Sequence, residues 1–257
     1  LKDISSILNG KFKSSKKVII EEFLEGEEAS YFVITDGTNF KQIGTAQDHK
    51  RIGEGDKGLN TGGMGAYSPS LLITKEIEKK IINQIIIPTI RGMAEIGCKY
   101  KGILYAGLMI KDNEPKLIEY NIRFGDPECQ ALMMRLEDDL LDIIMSAIEE
   151  RLDDNPIKWS PNPSITIVAA SKGYPENFEN RKELKNLPKN CIKNEQIFHA
   201  GTIKINGKIF TNGGRVLNST VCLPSMELSR TRAIELLDQI DWENKYFRRD
   251  IGWRAIK

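Results

Sequence analysis

Several common features are missing from these 257 residues, and each absence narrows the reading. No apolar run approaches the ~20 residues a membrane-spanning helix needs, and no secretory signal is visible at the front. There is no excess of one charge. With 37 basic against 36 acidic side chains, nothing points to a nucleic-acid or membrane surface. Cysteine is sparse, and positions 98, 129, 191 and 222 show neither CxxC nor finger spacing, so reduced and mostly buried thiols in a cytoplasmic setting are expected. Repeats and low-complexity segments are lacking. So is a P-loop, because no lysine followed by Ser or Thr comes after the glycine-rich stretch. The chain has the composition of a metabolic enzyme, long enough for one or two domains and a substantial core. A monomer acting on small molecules is expected.

The densest cluster of chemistry is Glu119-Tyr-Asn-Ile-Arg-Phe-Gly-Asp-Pro-Glu128. Glu119 and Asn121 stand two apart on an expected strand, so they share a face. A carboxylate and an amide oxygen suit a hard cation that also takes phosphate oxygens. Arg123 adds a planar fork for phosphate or carboxylate. Glu119 could equally be a solvated strand residue paired with a lysine. Asp126-Pro127 reads as an N-cap with proline at the first helical position, which needs no function.

A second acidic segment is Val18-Ile-Ile-Glu-Glu-Phe-Leu-Glu-Gly-Glu-Glu-Ala-Ser-Tyr-Phe-Val-Ile34. A strand over 17–22, a glycine turn and a strand over 28–35 would bring Glu21, the Leu24 backbone and Glu28 near one edge. Between the two segments, six glycines fall from Gly53 to Gly65 in a stretch opened by Asp48-His-Lys-Arg51. A flexible connector is the simpler reading. Charged groups at a strand end beside a glycine-rich loop also fit anion and amine recognition.

Taken together, QDHKR, NTGGMGAYSP, IEYNIRFGDPE, NGGRVL and DIGWRA resemble the phosphoribosylamine–glycine ligase family of the ATP-grasp superfamily, from about Val18 to Ile256. The resemblance implies an α+β chain: the C-terminal half of an ATP-grasp fold, an antiparallel sheet with helices, over 1–157, then a small β-rich domain over 158–257. It implies ATP held by Glu21, Glu22, Leu24 and Glu28, and Mg²⁺ or Mn²⁺ on Glu119 and Asn121. Arg123 would sit on the transferred phosphate and Asp48 would hold the incoming amine. Lys50 and Arg51 would meet substrate anions, and Asn60, Gly63 and Asp126 would complete the substrate site. The implied reaction phosphorylates glycine and couples glycyl phosphate to 5-phosphoribosylamine. The pattern departs at Gly107, where many ATP-grasp enzymes carry a metal-binding acid. Family members also begin with a ribose-phosphate domain and a lid. This sequence starts at Leu1, so a C-terminal part of such a protein is expected, unable alone to form glycinamide ribonucleotide at a useful rate. Another ATP-grasp ligase or carboxylase, or a nucleotide-binding module without turnover, are the rival readings.

Helical spacing predicts helices over 74–97, interrupted by Pro88, and over 126–152, with Leu132, Leu136, Leu140, Ile143, Ala147 and Ile148 in the core and Met133 and Met134 as packing. Further strands are expected at 40–46, 103–111 and 116–122. The last two would be paired through Asp112-Asn-Glu-Pro115, making the metal strand a central element. Asp153 to Pro163 reads as a linker. Beyond it come strands at 165–170, 196–205, 208–211 and 215–222, with an Asn206-Gly207 hairpin and a helix from about 225 to 240. His199 reads as a structural hydrogen-bonding residue.

Overall fold

The run Glu27–Thr35 (β1) is apolar on both faces, and a strand so composed must be covered on both sides. A computed structural model, describing residues 2–11, 17–152, 156–188 and 192–256, shows how this is met. Tyr31 and Val33 face a core with Ile77, Ile81, Ile86 and Ile90. Phe32 and Ile34 face another with Ile43, Leu132 and Ile143. β1 pairs antiparallel with Phe40–Asp48 (β2) on one edge and with a strand over 102–111 on the other.

A short pair, Arg51–Gly53 (β3) and Lys57–Asn60 (β4), follows β2, and Gly65–Ser68 (β5) then pairs with β2. Near the start of the chain, Lys2–Ser6 forms a short helix (α1); the 74–97 helix forms as Lys75–Ile81 (α2), a π-helical segment Ile82–Ile86, and Ile87–Glu95 (α3). Thr74 caps α2, and Pro88 lies in the first turn of α3, where a missing N–H costs least. Gly102–Lys111 (β6) and Glu114–Asn121 (β7) form a hairpin turned by Asp112 (φ 51°) and Asn113 (φ 61°).

Ser164–Ser171 (β8) pairs with β5, and this joint carries one continuous antiparallel sheet across both halves of the chain. The order is β7-β6-β1-β2-β5-β8-β12-β9, with Glu195–His199 as β9 and Arg215–Cys222 as β12. Thr202–Ile205 (β10) and Lys208–Thr211 (β11) make the Asn206-Gly207 hairpin. The helix Met226–Gln239, capped by Ser225, packs its Ala233, Leu236 and Leu237 on the sheet.

Several expectations are corrected. Residues 17–22 form no strand, because both edges of β1 are already taken; the hairpin partner of β6 is β7 and its other neighbour is β1. β7 ends the sheet instead of lying inside it, with no strand on its outer edge among the described residues. Residues 17–25 are tied to this side by the Lys116–Glu22 (2.8 Å) and Lys111–Glu25 (2.6 Å) ion pairs.

The 126–152 helix is two helices, Glu128–Met133 (α4) and Leu140–Ile148 (α5). Arg135 turns inward to Ser68, Ser160 and Asn162, Leu136 bridges to Trp159, and Asp139 then caps α5. Apolar spacing continued across the break because both pieces pack on one core, although Ile148 is exposed. Pro127, not Asp126, stands at the α4 cap and no side chain closes it. Strand 196–205 breaks at Ala200-Gly201. In the linker, 153–155 lies outside the described residues, whereas Trp159 is packed into the core. Cys98 is exposed and Cys191 lies outside the described residues; Cys129 and Cys222 are free and more buried. His199, exposed at the end of β9, lies 3.0 Å from the Thr202 hydroxyl.

Candidate functional site

The expected nucleotide segment and four of the other expected site residues, Asp48, Lys50, Arg51 and Asn60, line two adjoining cavities at one end of β1 and β6. Glu21, Glu22, Leu24 and Glu28 surround a space of ≈ 500 Å³, with Met109 and Lys116 opposite. Asp48, Lys50, Arg51 and Asn60 surround a second space of ≈ 240 Å³. Glu28 and Met109 belong to both, so the two spaces form one cleft.

Lys50 is the electrostatic centre of that cleft. Its ammonium is hydrogen-bonded to Glu28. Burial acts against the charge, but Asp48, Glu28 and Glu119 outweigh it and raise its pKa. Asp48 shows the opposite balance. Burial first, then the Glu128 carboxylate, pushes it up to about 7, with Lys50 pulling the other way. A carboxyl poised there can hold an amine and exchange a proton near neutrality. Glu128, only 3% exposed, accepts a hydrogen bond from Ser30 Oγ at 3.2 Å.

Glu119 and Asn121 do share a face, and Asn121 Nδ2 donates to Glu119 Oε1 at 3.2 Å. They line neither cavity; the field of Glu119 on Lys50 is what links them to the cleft. Gly107 pairs with Glu119 across the hairpin. No group of three or more His, Cys, Asp or Glu suited to a metal occurs among the described residues. Two oxygen donors on one face nonetheless fit a small hard cation that fills its other positions with phosphate oxygens and water. Arg123 is exposed and donates to the Phe124 carbonyl at 2.8 Å.

Gly63 and Asp126 lie outside the two cavities, in a junction held by Arg215. Its Nη1 donates to the carbonyls of Gly62 (2.8 Å) and Asp126 (2.6 Å), and Nη2 to Asp126 Oδ2 at 3.2 Å. Gly63 has φ +111°, and a Cβ there would meet Pro127 Cδ at 2.5 Å, so this contact requires glycine.

A second junction centres on Asp56. It receives Arg248 Nη1 (3.0 Å), Trp253 Nε1 (3.2 Å) and Arg254 Nη2 (2.7 Å), and lies 3.3 Å from His49 Nδ1. The Gly252 N–H donates to His49 Nε2 at 3.0 Å, which leaves the ring proton on Nδ1, facing Asp56. That bond, with the two arginines, holds the Asp56 carboxyl well below the usual carboxylate range. Asp56 and Arg254 line the cleft beside Arg51.

Sequence reasoning missed Glu128, Asp56, Arg215 and Arg254 as site residues. Three lie within motifs already singled out, FGDPE, NGGRVL and DIGWRA, but only the fold brings distant motifs together.

Burial lowers the pKa of His49, with Arg248 and Arg254 adding to it, against the pull of Asp56. The unfolded chain therefore binds a proton here, below about pH 6.5, that the folded chain resists, so stability from this group falls with pH. The urea midpoint is expected to drop more between pH 7.5 and 5.5 in the wild type than in His49→Gln. Equal drops would remove His49 from the acid response. Asp48, with its raised pKa, acts in the opposite direction in both proteins.

Residues 1–129 match the phosphoribosylglycinamide synthetase ATP-grasp (A) domain, and 164–254 match the C domain of the same enzyme. A phosphoribosylamine–glycine ligase of Brucella melitensis is 48% identical over 256 residues, covering 99% of this chain and 60% of its own length. The crystal structure of the Thermotoga maritima phosphoribosylamine–glycine ligase superposes with a TM-score of 0.88 at 34% identity, covering 97% of this chain and 62% of the other. A biotin carboxylase domain of the Hydrogenobacter thermophilus 2-oxoglutarate carboxylase shares the fold alone. It has a TM-score of 0.71 at 16% identity, over 100% of this chain and 57% of the other. The chain thus spans about three-fifths of the relatives it matches. Sheet, helices and cleft define a protein of the ATP-grasp class. Within that class, the chain belongs to the phosphoribosylglycinamide synthetase family.

Proposed function

We propose that this chain carries the ATP and metal half of a phosphoribosylamine–glycine ligase, joining glycine to 5-phosphoribosylamine with cleavage of ATP to ADP and phosphate. The supporting observation is the shared cleft, in which Glu28 stands between the Glu21–Leu24 wall and the Asp48–Lys50–Arg51–Asn60 wall. On this reading adenine and ribose occupy the larger space, and glycine and the amine approach the smaller one. A divalent cation on Glu119 and Asn121, Mg²⁺ or Mn²⁺, would supply charge neutralisation for phosphate oxygens. Arg123 would neutralise the transferred phosphoryl group, and Lys50 and Arg51 would orient anions. Asp48, with its pKa near neutrality, would hold the amine of phosphoribosylamine and accept its proton as it attacks the acyl phosphate. Gly63 and Asp126 would set the loop that closes on that reactive species and excludes water. A division into domains at 157/158 separates the ATP-binding unit from a β-rich unit that contributes Arg215 and Arg254 to the two junctions. The enzyme would work as a cytoplasmic monomer without nucleic acid or membrane.

The test is ADP release by the full-length enzyme. Release that requires both glycine and phosphoribosylamine supports the assignment; release driven instead by bicarbonate would return a carboxylase. In the same assay Glu28→Ala is expected to weaken ATP by about 1.5–3 kcal/mol, roughly ten- to a hundredfold in KM, through loss of a charge-assisted bond to ribose. The KM for glycine should hardly change. Unchanged nucleotide affinity would reduce Glu28 to a counter-ion for Lys50.

A further inference from the structure

Farther along β2, at Gln42–Thr45, lies an open cavity of ≈ 410 Å³ that shares no lining residue with the cleft. Its walls include Ser70, Leu71, Glu78, Arg135 and Trp159. Arg135 is 9% exposed. Its Nε, Nη1 and Nη2 each donate at 3.0 Å, to Asn162 O, Ser68 Oγ and Ser160 O. All three acceptors are neutral, and no carboxylate of the described residues forms an ion pair with this guanidinium. Trp159 lies against it, 5.8 Å from guanidinium carbon to ring centroid. A cation buried without a counter-ion is costly, and two of its five N–H groups remain undirected. Ser70, 4% exposed, has an Oγ with no hydrogen-bond partner. A buried hydroxyl without a partner carries a similar penalty.

We propose that this cavity is a binding site for one small oxyanion, a carboxylate or phosphate group, held by Arg135 with the Ser70 hydroxyl as a further donor. Leu71, 61% exposed, leaves the mouth open to solvent. Glu78 faces the same space from α2, and its Oε1 already accepts from Tyr31 Oη (3.0 Å) and Gln42 Nε2 (2.7 Å). Its negative charge opposes dianions, so the site favours a monoanionic ligand at the Arg135 end. Tyr31, although buried beside Glu78, has its pKa raised by burial and stays neutral. Nothing in the proposed ligation reaction uses these residues.

Acetate and inorganic phosphate are titrated separately at pH 7.5 and constant ionic strength, with the cleft filled by excess Mg·ADP. Binding is read from tryptophan emission, and Trp159→Phe identifies the source of the signal. Saturable binding is expected, tighter for the monoanion acetate than for phosphate, which is mainly a dianion at pH 7.5; tighter phosphate binding would overturn the charge preference assigned to Glu78. Ser70→Ala should weaken binding about five- to tenfold by loss of one donor. Glu78→Gln should tighten it several-fold. Both variants spare the buried guanidinium, so the folded protein is available for comparison. No saturable response to either anion overturns the proposal, as do unchanged affinities in both variants.

Discussion

Replacing Arg248 with methionine is expected to cost about 3–5 kcal/mol of folding stability, the range for breaking a buried ion pair from one side. Arg248 is fully buried (0% exposed). Its Nε and Nη2 grip the two oxygens of Asp250 at 2.8 and 2.7 Å, while Nη1 reaches Asp56 Oδ1 at 3.0 Å and the Arg51 carbonyl at 2.9 Å. Asp250 in turn accepts from the Gly55 N–H at 2.8 Å, so one side chain joins the glycine loop to the chain after β12. Methionine fills similar space but leaves two carboxylates and a carbonyl without their donor. Asp56 keeps Arg254 and Trp253, which places the loss in this range and not above it. Lysine should rescue little, since a point charge cannot reproduce the bidentate fork. Urea denaturation with an unchanged m-value measures the loss. By contrast, Arg254→Ala removes a more exposed pair and should cost at most about 1 kcal/mol. A loss for Arg248→Met no larger than that would show that the junction is not structural.

How far the sequence foretold this arrangement differs from element to element, for physical reasons. Strands with both faces apolar, such as β1 and β6, and turns whose residues accept positive φ, such as Asp112-Asn113 and Asn206-Gly207, declare themselves locally. The helix break at Arg135 does not. The same apolar spacing serves one long helix or two short ones on a common core, and only the buried guanidinium's partners at Ser68, Ser160 and Asn162 decide. The edge position of β7 was hidden likewise, because hairpin signals fix one neighbour and say nothing of the other. Glu21, Glu22, Leu24 and Glu28 line one space although residues 17–22 form no strand, since tethering through Lys116 and Lys111 achieves what the expected pairing would have. Asp126 was legible as a residue of interest and misread as a cap. Its partner, Arg215, lies 89 positions away. Asp56 and Glu128 had no local signal separating them from surface carboxylates; burial and convergent donors distinguish them.

Glu119→Gln and Asn121→Leu are expected to lower ligation by at least roughly a hundredfold while leaving the fold intact, the scale for losing one preorganised electrostatic group at a reacting centre. Glu119 is exposed on an edge strand and Asn121 is half-buried, with their mutual 3.2 Å bond between them. Such positions away from the core normally change stability by no more than about 0.5 kcal/mol. Glutamine preserves shape and removes the anionic oxygen; leucine preserves bulk and removes the amide oxygen. The glutamine variant leaves two neutral amide oxygens and no anionic one, and the leucine variant leaves one liganding side chain, in either case too little to fix a hard cation against phosphate oxygens. Lys50 should also respond. Losing the Glu119 charge removes one of the three carboxylates that raise its pKa, leaving Asp48 and Glu28 to hold it. The full-length variants are assayed across a range of Mg²⁺ and of Mn²⁺, with thermal unfolding alongside. If the two residues hold the cation, turnover falls, and excess metal restores part of it while the melting temperature stays put. If either variant keeps wild-type turnover and metal dependence, the cation is held elsewhere. The shared face of Glu119 and Asn121 would then be a plain edge-strand pair.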